Sequence, residues 1–180
     1  MTRGARGFAA LALLAAALLA GCATPQRTAA PGASETLSGR LAVRVDSQPP
    51  RNVSASFELS GNPTHGQLVL SGPLGATAAQ ARWAPGEAAL ITSDGRTAYP
   101  DLDALAVDAL GERIPIAALF DWLRGRPWTG AKFTPRSDNE AGFEQLGWRI
   151  SLARWSEGWV EARRPAAPVV TVRAKLEPGS

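Results

Sequence analysis

The 180-residue chain has one cysteine, one histidine and one methionine. A single cysteine excludes an intrachain disulfide framework. One Cys and one His together exclude a zinc finger, an iron–sulfur site or a His-rich metal centre, each of which needs several such ligands. Three motifs are missing as well: there is no P-loop, no Gly-x-Gly-x-x-Gly and no Gly-x-Ser-x-Gly elbow. The 16 acidic residues are scattered without an obvious pair. Asp101 and Asp103 read as a helix start, and His65 in Pro63-Thr64-His65-Gly66 reads as a turn residue. Charge of one sign is also scarce. The formal net charge is +3, and two of the cations, Arg3 and Arg6, lie in a segment expected to be removed. The remaining 17 basic residues against 16 acidic ones leave +1, a poor basis for binding nucleic acid. What is present is 45% hydrophobic residues in a length that suits one domain, which excludes wholesale disorder.

The N-terminus has the layout of a secretory signal. Arg3 and Arg6 form a positive start, and Phe8 to Ala20 is an uncharged apolar run of 13 residues. That is short of the ~20 residues a membrane-spanning helix needs. Leu19-Ala20-Gly21-Cys22 closes the segment and resembles a bacterial lipobox, in which small residues fit the peptidase cleft and the thiol receives diacylglycerol. On this resemblance the mature chain is expected to start at Cys22 with 159 residues and to carry three acyl chains, and several chains anchor stably where one is marginal. Ala23, rather than Asp, follows the cysteine, which by resemblance to the sorting rule of enterobacterial lipoproteins implies export to the outer membrane. Residues 23–34, small, polar and Pro-containing, read as a flexible tether. The expected organisation is a signal peptide over 1–21, a lipidated N-terminus and tether over 22–34, and a folded domain over 35–180.

The domain begins with period-2 alternation. Leu41, Val43 and Val45 share one face, and Val53, Ala55, Phe57 and Leu59 share another. Such alternation argues half-buried antiparallel strands. Further strands are expected at 67–71, 78–83, 88–92 and 95–99, divided by Gly61-Asn62-Pro63, Gly72-Pro73-Leu74-Gly75, Pro85-Gly86 and Ser93-Asp94-Gly95. The period then changes. Leu102, Leu105, Ala106 and Ala109 stand at helical spacing up to Gly111. Ile116, Leu119, Phe120 and Leu123 do so after Ile114-Pro115, with Gly125 and Pro127 as the stop. Strands return with Leu146, Trp148, Ile150 and Leu152 on one face, then 159–163 and 170–176. With no βαβ rhythm and no repeat, the pattern indicates a strongly curved antiparallel sheet, its helices on the concave side or across the mouth.

Two apolar features stand out. Six tryptophans occur in one small domain, at 83, 122, 128, 148, 155 and 159. Each taken alone reads as core; together they could line a cavity that a curved sheet need not fill. The other is Leu74, placed at a turn apex by Pro73 and Gly75. On a membrane-tethered protein, an apolar loop tip can touch lipid.

Taken together, these segments resemble the outer-membrane lipoprotein receptor family LolB. The resemblance is carried by the lipobox, Gly39-Arg40-Leu41-Ala42-Val43, Pro73-Leu74-Gly75, Asp94-Gly95 with Tyr99, the string from Ile114-Pro115-Ile116 through Leu119 and Trp122-Leu123-Arg124-Gly125-Arg126-Pro127, and Gln145 with Gly147-Trp148. They fall in order over roughly residues 37–160. The resemblance implies an incomplete, half-open antiparallel β-barrel with an α-helical lid over an apolar cavity, a fold shared with the periplasmic carrier LolA. It implies a receptor that accepts lipoproteins from LolA and places their acyl chains in the inner leaflet of the outer membrane, with no catalytic residues and no nucleotide or metal cofactor. Cys22 is then the lipid attachment point, and Leu74 corresponds to the exposed leucine of a protruding loop credited with membrane insertion. Trp83, Leu119, Phe120, Trp122, Leu123 and Trp148 are the cavity or lid candidates. The expected partners are LolA, acyl chains and outer-membrane lipid, with the chain itself a monomer. Two alternatives stay open: a lipoprotein of the same architecture carrying free lipids, and, less favoured, an envelope hydrolase.

Overall fold

Alternating apolar residues become strands in the computed structural model, which describes residues 36–178. The signal segment, Cys22 and the tether lie outside these residues. The strands are β1 (Leu37–Val45), β2 (Arg51–Gly61), β3 (Gly66–Ser71), β4 (Thr77–Ala84), β5 (Glu87–Thr92), β6 (Gly95–Tyr99), β7 (Phe133–Pro135), β8 (Gly142–Gln145), β9 (Trp148–Ser151), β10 (Trp159–Arg164) and β11 (Val170–Leu176). Between β6 and β7 come two helices, α1 (Leu102–Leu110) and α2 (Ile116–Trp122). The 11 strands form one sheet in the order β6-β5-β4-β3-β2-β1-β11-β10-β9-β8-β7. Every pairing is antiparallel, and β6 and β7 are left as free edges. This is a half-open barrel, with the helices closing over its inner face.

The last strand holds the two wings together. β11 pairs with β1 from Gly39↔Leu176 to Val45↔Val170, and with β10 from Trp159↔Lys175 to Arg164↔Val170. Its Val170, Val172 and Ala174 are buried, in line with Val43 and Val45 of β1 and Val160 and Ala162 of β10. At Gly39 the backbone of β11 leaves no room for a side chain on β1. The Gly39 φ is +157°, and a Cβ there would lie 2.1 Å from the Lys175 carbonyl oxygen, so only glycine fits.

Both helices start and stop on local chemistry. Asp101 caps α1, its carboxylate accepting the Ala104 N–H at 2.7 Å. Gly111 ends it at φ +77°, returning its N–H to the Val107 carbonyl. Tyr99 donates its hydroxyl to Asp108 at 2.5 Å and so ties β6 to α1. The carboxylate as acceptor raises the Tyr99 pKa above its usual value.

The sequence pattern misplaced one strand. Leu146 is not in line with Trp148 and Ile150; it sits in a two-residue turn with φ +55°, followed by Gly147 at φ +77°. Gln145 pairs with Trp148 across that turn, so β8 and β9 form a hairpin where one strand was expected. Leu152 lies past the end of β9. The short strands β7 and β8 carried no readable alternation: Phe-Thr-Pro is three residues, all exposed.

The β7–β8 loop is held by charge. Arg136 donates to both carboxylate oxygens of Asp138, and its Nη2 lies 2.8 Å from Glu140 Oε2. The hydrogen bonds from Arg136 hold Asp138 down from an ordinary 3.8 to about 2. A carboxylate with a lowered folded pKa stabilises fully above its unfolded value and loses that contribution as pH falls through the folded one. The stability gap between the parent chain and Asp138→Asn is therefore expected to close as pH drops from about 3.8 to about 2. Urea midpoints across that range check it; a gap that stays constant would leave the loop's contribution to shape rather than charge.

Candidate functional site

The second helix is only seven residues long. Such a helix is marginal by itself and owes its stability to packing. Pro115 precedes it with φ −74°, suited to helix entry, and Gly125 at φ +71° and then Pro127 end the segment. Ile116, Ala118, Phe120, Asp121 and Trp122 are all buried, so α2 is surrounded on more than one face. Phe120 meets Trp83 of β4 edge-on, ring centres 5.5 Å apart. Trp122 meets Trp148 of β9, ring centres 5.9 Å apart. The helix therefore spans the trough of the sheet, with one aromatic contact on each wing. Trp83, Phe120, Trp122, Leu123 and Trp148 belong to one buried cluster, and half-buried Leu119 packs against it. All six cavity or lid candidates are brought together.

Polar groups hold both ends of this lid. At its exit, Gln145 of β8 is 2% exposed and uses all four of its hydrogen-bonding positions. Its Oε1 accepts the Trp122 indole N–H at 2.8 Å and the Trp128 backbone N–H at 2.9 Å. Its Nε2 donates to the Trp128 and Ala131 carbonyls, both at 2.7 Å. One side chain thus pins the helix and the strap that follows it. Asp121 closes the same turn by an ion pair with Arg126 at 2.7 Å. At the entrance, Arg164 of β10 pairs with Glu112 at 2.6 Å and donates to the Arg113 and Pro168 carbonyls. The α1–α2 link is therefore tied to the far wing of the sheet.

Leu74 stands apart from all of this. Gly75 donates its N–H to the Gly72 carbonyl at 3.0 Å, a β-turn with Pro73 and Leu74 as its central pair. Leu74 is 98% exposed, the most exposed large apolar side chain among the described residues. No charge lies between Ser71 and Thr77. His65 sits exposed in a turn organised by Asn62, whose side chain accepts the Thr64 and His65 N–H groups. Among the described residues no three His, Cys, Asp or Glu side chains gather as a metal site.

Open space lies on either side of the β8–β9 turn, and one of the two openings reaches the start of α2. One opening of about 420 Å³ runs between Pro115, Ala117 and Ala118 on one side and Trp128, Leu146 and Trp148 on the other. A second, about 470 Å³, lies beneath Phe133, Leu146, Trp148 and Pro165. Both are within the size range of small-ligand sites, and each mixes apolar walls with charged side chains, Lys132, Glu144 and Arg149 in the larger and Asp103, Arg113 and Arg164 in the smaller.

The sequence matches the family described as "LolB: Outer membrane lipoprotein LolB" over residues 35–174, which takes in the lid and all of the sheet but the last two residues of β11. The chain belongs to the LolB family. Among its relatives, a protein of Bordetella petrii named "Outer-membrane lipoprotein LolB" is 35% identical, the match covering 97% of this chain and 87% of the relative. One of the same name from Bordetella pertussis is 34% identical over 91% of this chain and 82% of its own length. One from Chromobacterium violaceum is 31% identical over 80% and 81%. In this LolB-family fold, the Ile114–Pro127 string forms the entry, seat and exit of the lid. The function of Gln145 was not legible in the sequence, since a buried glutamine in a short strand has the same pattern as an exposed one. The ties made by Arg164 and Glu112 join residues far apart in the chain and left no local signal.

Proposed function

We propose that this LolB-family chain is an outer-membrane lipoprotein receptor, anchored through Cys22 on the periplasmic face. It takes lipoproteins from the carrier LolA and inserts their acyl chains into the inner leaflet. The observation that carries this reading is α2 seated across an apolar trough, with Phe120 on Trp83 and Trp122 on Trp148. The names of the relatives support the outer-membrane location. In the closed form the trough is filled by the lid's own side chains. Lifting Ile116, Phe120 and Trp122 out of it costs about 6 kcal/mol at roughly 2 kcal/mol per side chain. About eight methylenes of an acyl chain, at ~0.8 kcal/mol each, offset that cost, so a long chain displaces the lid without nucleotide or metal. The bilayer is a deeper sink still, which gives the transfer its direction.

The test is transfer in two steps. A Cys22→Ala chain without its signal segment is expected to stay folded and soluble, take a fluorescent acylated lipoprotein from LolA, and release it to vesicles. Uptake of a fluorescent fatty acid without uptake of the lipoprotein would move the reading to a free-lipid carrier.

A further inference from the structure

Five large apolar side chains are exposed among the described residues, and three of them share one end of the sheet. These are Leu74, Phe133 and Leu146. The register places them. Arg149↔Arg163, Arg163↔Thr171, Thr171↔Arg44 and Arg44↔Asn52 form one row across five strands. Ser56↔Ser71 is the last β2–β3 pair on this side, and the same register continued beyond it brings the loop after Ser71, with Leu74, to about the level of Asn52. On the other wing, the β8–β9 turn holding Leu146 and the first residue of β7, Phe133, stand at the same level.

The Leu146 turn is unusual on two counts. Its central residues have φ +55° and +77°, the mirror-type hairpin turn that favours Asn-Gly or Gly-Gly. A leucine there is strained, and its side chain is 47% exposed, so it does not compensate by filling the core. Leu146 also borders both openings, one shared with Phe133 and the other with Pro115 and the first turn of α2 at the lid's edge. Lys132 and Arg149 against Glu144 line the first opening, and Arg113 and Arg164 against Asp103 line the second, which leaves a positive excess at each.

We propose that the β8–β9 turn, through Leu146 beside Phe133, is a second contact with the lipid surface, set at the edge of α2 where an acyl chain leaves the trough. The inference rests on the receptor reading and on Leu74 as its first membrane contact. A tight convex turn with an apolar tip and cations beside it suits a soft anionic surface rather than a protein cleft. Two contacts on opposite wings fix the orientation that one contact leaves free: with both seated, the opening beside α2 faces the bilayer.

The mature acylated chain tests this. With the Cys22 thiol consumed by lipid, Leu146→Cys, Leu74→Cys and Ser156→Cys each supply one labelling site, the last at the opposite end of the sheet. Each is labelled with a polarity-sensitive fluorophore and reconstituted in phosphatidylethanolamine–phosphatidylglycerol vesicles with brominated acyl chains. Quenching at 146 and 74 but not at 156 is the expected result. Quenching at 74 alone overturns the second contact and leaves the receptor reading intact. Quenching at none of the three removes the membrane role of Leu74 too. Equal quenching at 156, or a label at 146 that responds to LolA and not to bromolipid, also overturns the proposal. Leu146→Asn, which suits the turn, is expected to melt no lower than the parent yet deliver acylated cargo to vesicles about tenfold more slowly. An unchanged delivery rate overturns the proposal.

Discussion

Replacing Gln145 with Leu is expected to lower the unfolding midpoint by on the order of 10 °C, from a loss of about 4 kcal/mol at roughly 2–4 °C per kcal/mol for a domain of this size. The substitution removes no packing volume of note. It strands four groups at once: the Trp122 indole N–H, the Trp128 N–H and carbonyl, and the Ala131 carbonyl. Each buried group left without a partner costs about 1–3 kcal/mol, and those nearest the strap recover part of that from water. Gln145→Glu is expected to be worse, because a carboxylate cannot donate to two carbonyls and would be buried beside them. Trp122→Phe is the mild control, since Gln145 keeps its three backbone bonds. A Gln145→Leu chain within about 0.5 kcal/mol of the parent, the range of an ordinary surface change, would show that Gln145 does not latch the lid.

The latch also bears on binding. A ligand that needs an open lid pays for every closed molecule, so its apparent affinity scales with the fraction already open. Gln145→Leu destabilises the closed state, in which the Trp122 indole is buried and the Trp128 and Ala131 groups are partly buried, and leaves the open state, in which water reaches them, nearly unchanged. An apolar fluorescent probe is therefore expected to bind the variant more tightly even though the variant melts earlier. General loosening of the fold predicts the opposite sign, weaker probe binding with earlier melting, so the two measurements together separate them.

How far the site could be read in advance follows from where its information lies. Strands with one buried face announced themselves: Phe57 and Leu59 alternate with exposed Ser56 and Glu58, and the structure buries the first pair and not the second. The lid's helical spacing was equally plain, as were its Pro115 start and Gly125 stop. What spacing could not give was depth. A helix on a surface buries one stripe, and Ile116, Leu119, Phe120 and Leu123 were that stripe; the structure also buries Trp122 and Asp121, because the curved sheet wraps α2 from both wings. The hairpin at Leu146 was missed for a physical reason too. Its turn has leucine where Asn or Gly is the usual signal, so the residue that bends the chain carried the apolar pattern of a strand. Gln145 and Arg164 act over long sequence separations, 23 residues to Trp122 and 52 to Glu112, and nothing in a local window marks such partners.

Changing Leu74 to Glu is expected to separate receiving cargo from delivering it. The side chain is 98% exposed and sits in a turn closed by backbone hydrogen bonds alone, so the substitution should leave folding within about 0.5 kcal/mol of the parent. The lid and its aromatic seats are elsewhere, on α2, β4 and β9, so uptake from LolA is expected to proceed at the parent's rate. Delivery is different. Leu74 contributes about 2 kcal/mol when its side chain leaves water for hydrocarbon. Glutamate forfeits that and adds like-charge repulsion from anionic headgroups, on the order of 1 kcal/mol. About 3 kcal/mol off the approach to the bilayer is roughly a hundredfold in rate. Leu74→Ile, equally apolar, should deliver like the parent. The measurement is a carrier-to-receptor step followed by a receptor-to-vesicle step, with the cargo followed in each. Full delivery by the Glu chain would reduce Leu74 to an exposed turn residue, and failure at the first step would place it in the surface that meets LolA. A block at the second step alone is the expected outcome. It requires that the tip act on lipid, because Leu74 stands 98% exposed among the described residues and the lid it leaves untouched has already accepted the cargo.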